Sequence, residues 1–304
     1  MLIKHRNQPA LTGYLFALGA TAIWSGNFII ARGLSDTISP ISLAFWRWTV
    51  AVIVFLPFAL KPLIAEWNLI KKNFLYICVT SLLGVTIFNT LLYFAGQTTS
   101  AVNLSLISIT FPIFIVLLSS IFFGEQITVY KVAGILFVVT GVVLLITKGN
   151  FSSLLDISFA IGDLWMLLAA ITFAVYSLLL KRRPQSMSIW AFQFATFIFG
   201  LIFLAPFFFW QNVTVPQSEF DIKTGLAILY IGVFASLVAF TFWNKAIVLV
   251  GPSKAGMIYY TLPVFSGISA FIFLNETITI IHLFSALLIL PGILIANFES
   301  KKSG

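Results

Sequence analysis

Charge is what this chain has least of. Of its 304 residues only 9% are charged and nine are acidic, whereas a soluble domain carries about 25% charged residues. That supply cannot cover a water-facing surface, which excludes an ordinary soluble globule. The single cysteine, Cys78, excludes an intrachain disulfide. The only two histidines, His5 and His282, fall in the N-terminal tail and near the start of the last apolar run. There is no metal-ligand cluster, no nucleophile–base–acid set and no phosphate-binding loop, so neither metal, cofactor nor enzymatic activity is expected. Strict apolar–polar alternation over ~10 residues, the mark of a membrane barrel, is missing as well; VAGILFVVTGVVLLI (132–146) is apolar throughout.

What the chain has in quantity is hydrocarbon: 60% hydrophobic residues, 33 of them phenylalanine, and a mean hydropathy of +1.07. Apolar runs long enough to cross ~30 Å of bilayer as helices recur at 12–34, 39–60, 73–96, 101–122, 128–147, 160–180, 188–210, 224–249, 253–274 and 278–298. The first run exceeds the 7–15 residues of a signal peptide, so an uncleaved span is expected. No lipid anchor is expected at ESKKSG.

The net charge of +8 is unevenly placed. With a cytoplasmic N-terminus, thirteen cations fall on one side: Lys4, Arg6, Lys61, Lys71, Lys72, Lys131, Lys181, Arg182, Arg183, Lys245, Lys254, Lys301 and Lys302. Arg32, Lys148 and Lys223 fall on the other, and Arg47 lies within a span. The positive-inside rule accounts for this bias and removes the case for nucleic acid. An even number of spans returns both termini to the cytoplasm of a bacterial-type inner membrane.

The chain repeats itself. ITFPIFIVLLSSIFFGEQIT (109–128) is echoed by YTLPVFSGISAFIFLNETIT (260–279). Pro112/Pro263, Glu125/Glu276 and Gly141/Gly292 all stand 151 residues apart, and Gly13/Gly162 and Pro57/Pro206 stand 149 apart. Two five-span units, 1–150 and 151–304, follow. Because five is odd, the second unit must enter the membrane in the opposite sense. The expected fold is therefore an all-α membrane protein of ten transmembrane helices in two inverted five-helix repeats, an architecture that secondary transporters use for alternating access around a midplane site.

The Pro–Ile/Val–Phe run leading to F-x-x-E-x-[IL]-[ST] and a Gly-bearing span resembles the EamA repeat of the drug/metabolite transporter superfamily. AIWSGNFIIAR (22–32), SPISLAFWRW (39–48) and GDLWMLLAAITFAVYSLLLKR (162–182) are similar to further elements of that family. Ser25 intervenes where the family more often has Gly directly after Trp, and Phe173 replaces Trp24 in the second half. The resemblance implies transport of a metabolite, often export of amino acids or related solutes, coupled to protons in some members. It leaves the solute open, and monomer and homodimer alike.

Arg47 is the one clear charge inside a span and therefore a functional candidate; facing a cavity, it would favour an anionic or zwitterionic solute. The other cavity candidates are neutral: Trp24, Asn27, Asn89, Tyr93, Ser108, Tyr176, Gln193, Trp243, Asn244, Tyr259 and Tyr260. Among them Asn27/Tyr176 correspond at offset 149, and Tyr93/Asn244 and Ser108/Tyr259 at 151. In a mostly apolar setting they suit a small zwitterionic or amphipathic metabolite. Pro112 and Pro263 fall in mid-run, where proline removes a backbone bond and bends a helix; they are the hinge candidates. Glu125 and Glu276 each follow an apolar run and open the next helix, with Gly124 or Asn275 as a helix C-cap, and are expected to serve structurally at helix ends. A channel, a lipid scramblase and a lipid-modifying enzyme are the rival readings; the last lacks clustered acid–base groups.

Overall fold

The computed structural model describes residues 8–34, 37–99, 101–155, 160–214, 221–274 and 279–298. Among these residues every regular element is helical. The chain opens with α1 (Gln8–Gly33) and α2 (Pro40–Ala65). The short helix Trp67–Lys72 leads into α3 (Phe74–Thr98). Next comes α4, in two pieces, Ala101–Ser108 and Thr110–Phe123, and α5 (Val129–Ile146). After these come α6 (Ile161–Lys181), α7 (Ile189–Thr214) and α8 (Ile222–Val250). Last are α9, again in two pieces, Pro252–Tyr259 and Leu262–Leu274, and α10 (Ile280–Ala296).

Seven of these, α2 to α8, are long and apolar enough to cross a membrane. α1 matches them in length but carries Thr12, Thr21, Ser25 and Asn27; α9 is divided; α10 is one residue short of that length, with 17 residues. Ten expected runs thus fall on ten principal helices, of which seven meet the length and hydropathy of a crossing among the described residues. Outward faces are apolar: Phe58, Leu75, Val129, Leu136, Ile222 and Leu294 are all well exposed, an arrangement suited to lipid contact.

Local chemistry sets the helix ends. The Ser39 side chain accepts from the Ser42 amide at 3.2 Å with Pro40 in the first turn, a favourable start for α2. Thr128 caps α5 and Asp221 caps α8 through the Thr224 amide at 2.8 Å. Gly124 terminates α4 in the left-handed region at φ 66°, where a Cβ is disfavoured.

Packing comes in matched sets. α1 lies against α8 and α6 against α3; α1 also touches α9 while α6 touches α4; α2 packs on α7 and α5 on α10. The last pair is close: a Cβ on Gly134 would stand 2.4 Å from the Gly292 carbonyl, so only a residue without one fits there.

Two breaks in regular helix also recur at repeat spacing. α3 contains a π-helical segment, Leu82–Ile87, and α8 another, Ile231–Val238, ending 151 residues apart. The interruptions of α4 at Ile109 and of α9 at Tyr260 stand 151 apart as well. The prolines do not sit within continuous helix as expected from the sequence. Pro112 and Pro263 each lie in the first turn after the break, where a missing N–H leaves no bond unmade.

Candidate functional site

Arg47, on α2, is 0% exposed and sits where both chain halves meet. Its Nε donates to Ser236 Oγ at 2.5 Å and its Nη2 to the Ala235 carbonyl at 2.9 Å, both on the π-segment of α8. Its Nη1 donates to Tyr93 Oη at 2.8 Å and Asn27 Oδ1 at 3.2 Å, on α3 and α1. The guanidinium carbon also stands 5.3 Å from the Trp48 ring centroid, within cation–π range.

The π-segments explain how backbone enters this site. A π-turn shifts carbonyls out of the regular i→i−4 pattern, and side chains take them up. The Ala235 carbonyl accepts from Trp24 Nε1 at 2.8 Å as well as from Arg47. Gly84, 151 residues earlier, has its carbonyl taken by Asn89 Nδ2 at 3.2 Å, and Ser236 Oγ donates to Ile231 five residues back at 2.8 Å.

No carboxylate answers Arg47 among the described residues. Glu66 accepts from the Ser188 amide, and Asp221 caps α8. Asp163, near the start of α6, takes Thr99, Asn103 and its own helix cap. Glu125 pairs with Lys181 at 3.0 Å. Among the described residues, the buried cation is thus balanced by neutral dipoles.

Around it lies an aromatic enclosure. Trp24 meets Phe173 edge-on at 5.5 Å and Trp243 at 5.4 Å, while Phe88 stacks on Phe173 at 4.7 Å. A cavity of about 10 Å³, lined by Trp24, Asn27, Arg47, Asn89, Phe173 and Tyr259 among others, has room for roughly one water molecule.

The sequence candidates thus divide. Trp24, Asn27, Arg47, Asn89, Tyr93 and Tyr259 converge here. Tyr176, Gln193, Trp243 and Asn244 form an adjacent network of their own. Tyr176 Oη donates to Asn244 Oδ1 at 3.1 Å, Asn244 Nδ2 to Gln193 Oε1 at 3.4 Å, Gln193 Nε2 to Thr241 Oγ1 at 2.7 Å and Trp243 Nε1 to Ser177 Oγ at 3.1 Å. The Tyr176–Asn244 bond mirrors Tyr93–Asn27, in which Tyr93 Oη donates at 3.2 Å, with the residue types exchanged between the halves. Ser108 and Tyr260 do not line the cavity. Tyr260 packs with Ile109, Val116 and Met257 in a separate apolar cluster. Ala235, Ser236 and Phe88 also belong to the site without being candidates from the sequence, and Phe173, marked there only as the counterpart of Trp24, joins them. Ser236 was only one serine in an apolar run, and nothing in residue type announces a π-turn carbonyl.

Glu125 is not a helix cap: Thr128 caps α5. The Glu125 carboxylate instead receives the Ser253 hydroxyl from the start of α9 and the Lys181 ammonium from the end of α6, joining the two halves at one end. Burial raises its proton affinity, but Ser253 and Lys181 outweigh that and hold it below the usual glutamate value. Pro112 is buried, and Pro263 lines an apolar groove of about 200 Å³ with Leu145, Gly267 and His282. Glu276 lies outside the described residues, as do Asn275, Asp36, Asp156, Glu219, Glu299, Lys4, His5, Arg6, Lys301 and Lys302. The Arg32 side chain is likewise not described.

The profile of the EamA-like transporter family matches twice, over residues 11–147 and 160–298. The uncharacterized transporter YyaM of Bacillus subtilis (strain 168) is 26% identical over 295 residues, covering 97% of this chain and 95% of its own. An uncharacterized transporter of Archaeoglobus fulgidus is 29% identical over 78% of this chain and 81% of its own. A crystal structure of a protein 20% identical in sequence superposes with a TM-score of 0.74, covering 94% of this chain and 96% of that one; it speaks to the fold alone.

Proposed function

The chain belongs to the EamA-like transporter family, and we propose that it is a secondary carrier for a small acid-bearing metabolite. The solute is an amino acid or a related zwitterionic or amphipathic compound, exported across a bacterial-type inner membrane. One observation carries this reading: Arg47 is fully buried, held by four hydrogen bonds and without a carboxylate among the described residues. Burying a charge costs several kcal/mol or more, and intramembrane arginines persist where they serve a pathway. The carboxylate of the solute supplies the missing counter-charge.

Ten crossings in two inverted halves, 1–150 and 151–304, with both termini cytoplasmic, give the carrier its frame. The matched helix pairings and the recurring breaks support that symmetry. Alternating access then turns on the hinges before Pro112 and Pro263. A permanently open channel fits poorly with a central cavity that holds roughly one water.

Purified protein in liposomes, with and without a pH gradient, tests the proposal against matched acids, amides and amines. Saturable flux of acids, lost when the carboxylate is amidated, is expected. Equal flux of an acid and its amide, or flux that never saturates, would refute it.

A further inference from the structure

Asn89 is 1% exposed, lies on α3 and lines the same cavity as Arg47. Its two amide ends are used unequally. Nδ2 donates to the Gly84 carbonyl in the π-segment at 3.2 Å. That bond fixes the orientation of the amide, because an oxygen placed there would face another oxygen. Oδ1 is buried and has no hydrogen-bond partner within the protein. A buried acceptor left unmade is destabilising by about 1–3 kcal/mol. Such a group in a native structure calls for an explanation.

The surroundings point to its partner. Arg47 brings a positive charge. Phe88, Phe173, Tyr259 and Trp24 line the same cavity, and aromatic π-systems attract a cation and repel an anion. An acceptor oxygen among aromatic rings suits an N–H donor, above all a protonated amine.

We propose that Asn89 is the specificity-determining acceptor of the carrier: it reads an amine N–H on the solute while Arg47 reads the acid. The inference rests on the acid-binding reading of Arg47 and adds a second contact point to it. A solute with both groups satisfies cavity and cation together. An acid without the amine leaves Oδ1 unpaired, and sites built to hydrogen-bond a polar group reject analogues that lack it strongly.

Matched ligand pairs test this on the intact protein in detergent or liposomes. The probes are phenylalanine against 3-phenylpropanoate and leucine against 4-methylpentanoate. Dissociation constants come from fluorescence quenching, for which Trp24 provides a reporter in the cavity wall. Unmodified protein should bind each amine-bearing acid at least ~10-fold more tightly than its partner, the equivalent of one hydrogen bond of about 1.4 kcal/mol. Asn89→Leu should erase the difference by weakening the amine-bearing member at least ~10-fold more than the plain acid. Arg47→Met should weaken both members.

Parity of the pairs in unmodified protein, or a preference that survives Asn89→Leu, overturns the role of Asn89 while the Arg47 reading stands. Binding of both members unaffected by Arg47→Met overturns that reading, and the Asn89 proposal with it. Parity in unmodified protein is decisive whatever the variant does, and should Asn89→Leu fail to fold, the smaller Asn89→Ser is read with the same pairs: loss of the preference supports the role and its survival overturns it.

Discussion

Replacing Arg47 by methionine should abolish most acid transport and leave the fold standing. Each of its hydrogen-bond acceptors has another engagement. Asn27 Oδ1 keeps the Tyr93 hydroxyl, the Ala235 carbonyl keeps Trp24 Nε1, and Ser236 still donates to Ile231. No acceptor is stranded, and an expensive buried charge is removed. Exchanging buried ionic groups for apolar ones of similar volume is often neutral or favourable. The net change in stability should therefore stay within about 1 kcal/mol, a melting shift of no more than ~4 °C for a chain of this order of size. Transport is different. A hydrogen bond to a charged group contributes about 1.5–3 kcal/mol, so its loss corresponds to roughly a 10- to 100-fold fall in acid flux at subsaturating solute. Melting followed by intrinsic fluorescence, paired with liposome flux of an acid and its amide, reads both quantities. A large melting shift with unchanged flux of the surviving protein would refute the reasoning, since Arg47 would then be a structural post.

Pro112→Ala and Pro263→Ala should each lower turnover while preserving folding and solute affinity, because continuous helix replaces a hinge; unchanged turnover in both would end the hinge reading. Glu125→Gln should flatten the acid limb of the stability curve. The folded carboxyl is held below its usual 4.5 by Ser253 and Lys181 against the upward push of burial. Its contribution is thus present above that value and lost as pH falls through the folded one. Lys181 is partly exposed, so a double-mutant cycle with Lys181→Met should return no more than about 1 kcal/mol of coupling. Gly134→Leu should separate α5 from α10 and lower the melting temperature, since even a Cβ would stand 2.4 Å from the Gly292 carbonyl. A melting point equal to that of the parent would show that this contact is looser than described.

Legibility in the sequence follows what residue type can encode. Arg47 was visible because a lone cation in an apolar run has few innocent explanations. The Tyr93–Asn27 and Tyr176–Asn244 pairs were foreshadowed by offsets of 151 and 149, since corresponding positions in a repeat meet corresponding neighbours. Tyr259 and Tyr260 could not be told apart. Adjacent helical residues diverge by about 100° around the axis, and only packing reveals that Tyr259 faces the cavity and Tyr260 a satellite core. Glu125 was read from its place beside a helix start, yet its partners come from residues 56 and 128 positions away, a distance no local pattern spans. The π-segments had no signature at all: their effect lies in which carbonyl is freed, and every residue carries the same carbonyl.

The two halves share their helix breaks and divide their polar groups. π-segments, helix breaks and a Tyr–Asn bond occur in both. Arg47, by contrast, corresponds at offset 149 to Thr196, whose hydroxyl donates to the Gln193 carbonyl of its own helix at 2.8 Å. Physical reasons favour that asymmetry. A second buried cation in the same small enclosure would repel the first at low dielectric, and an acid-bearing solute has one carboxylate to offer. The second half contributes dipoles instead, the Ala235 carbonyl and the Ser236 hydroxyl, which cushion the guanidinium while no solute is bound. On the proposed reading, duplicated hinges would move around a single, oriented recognition point, which a symmetric site could not provide.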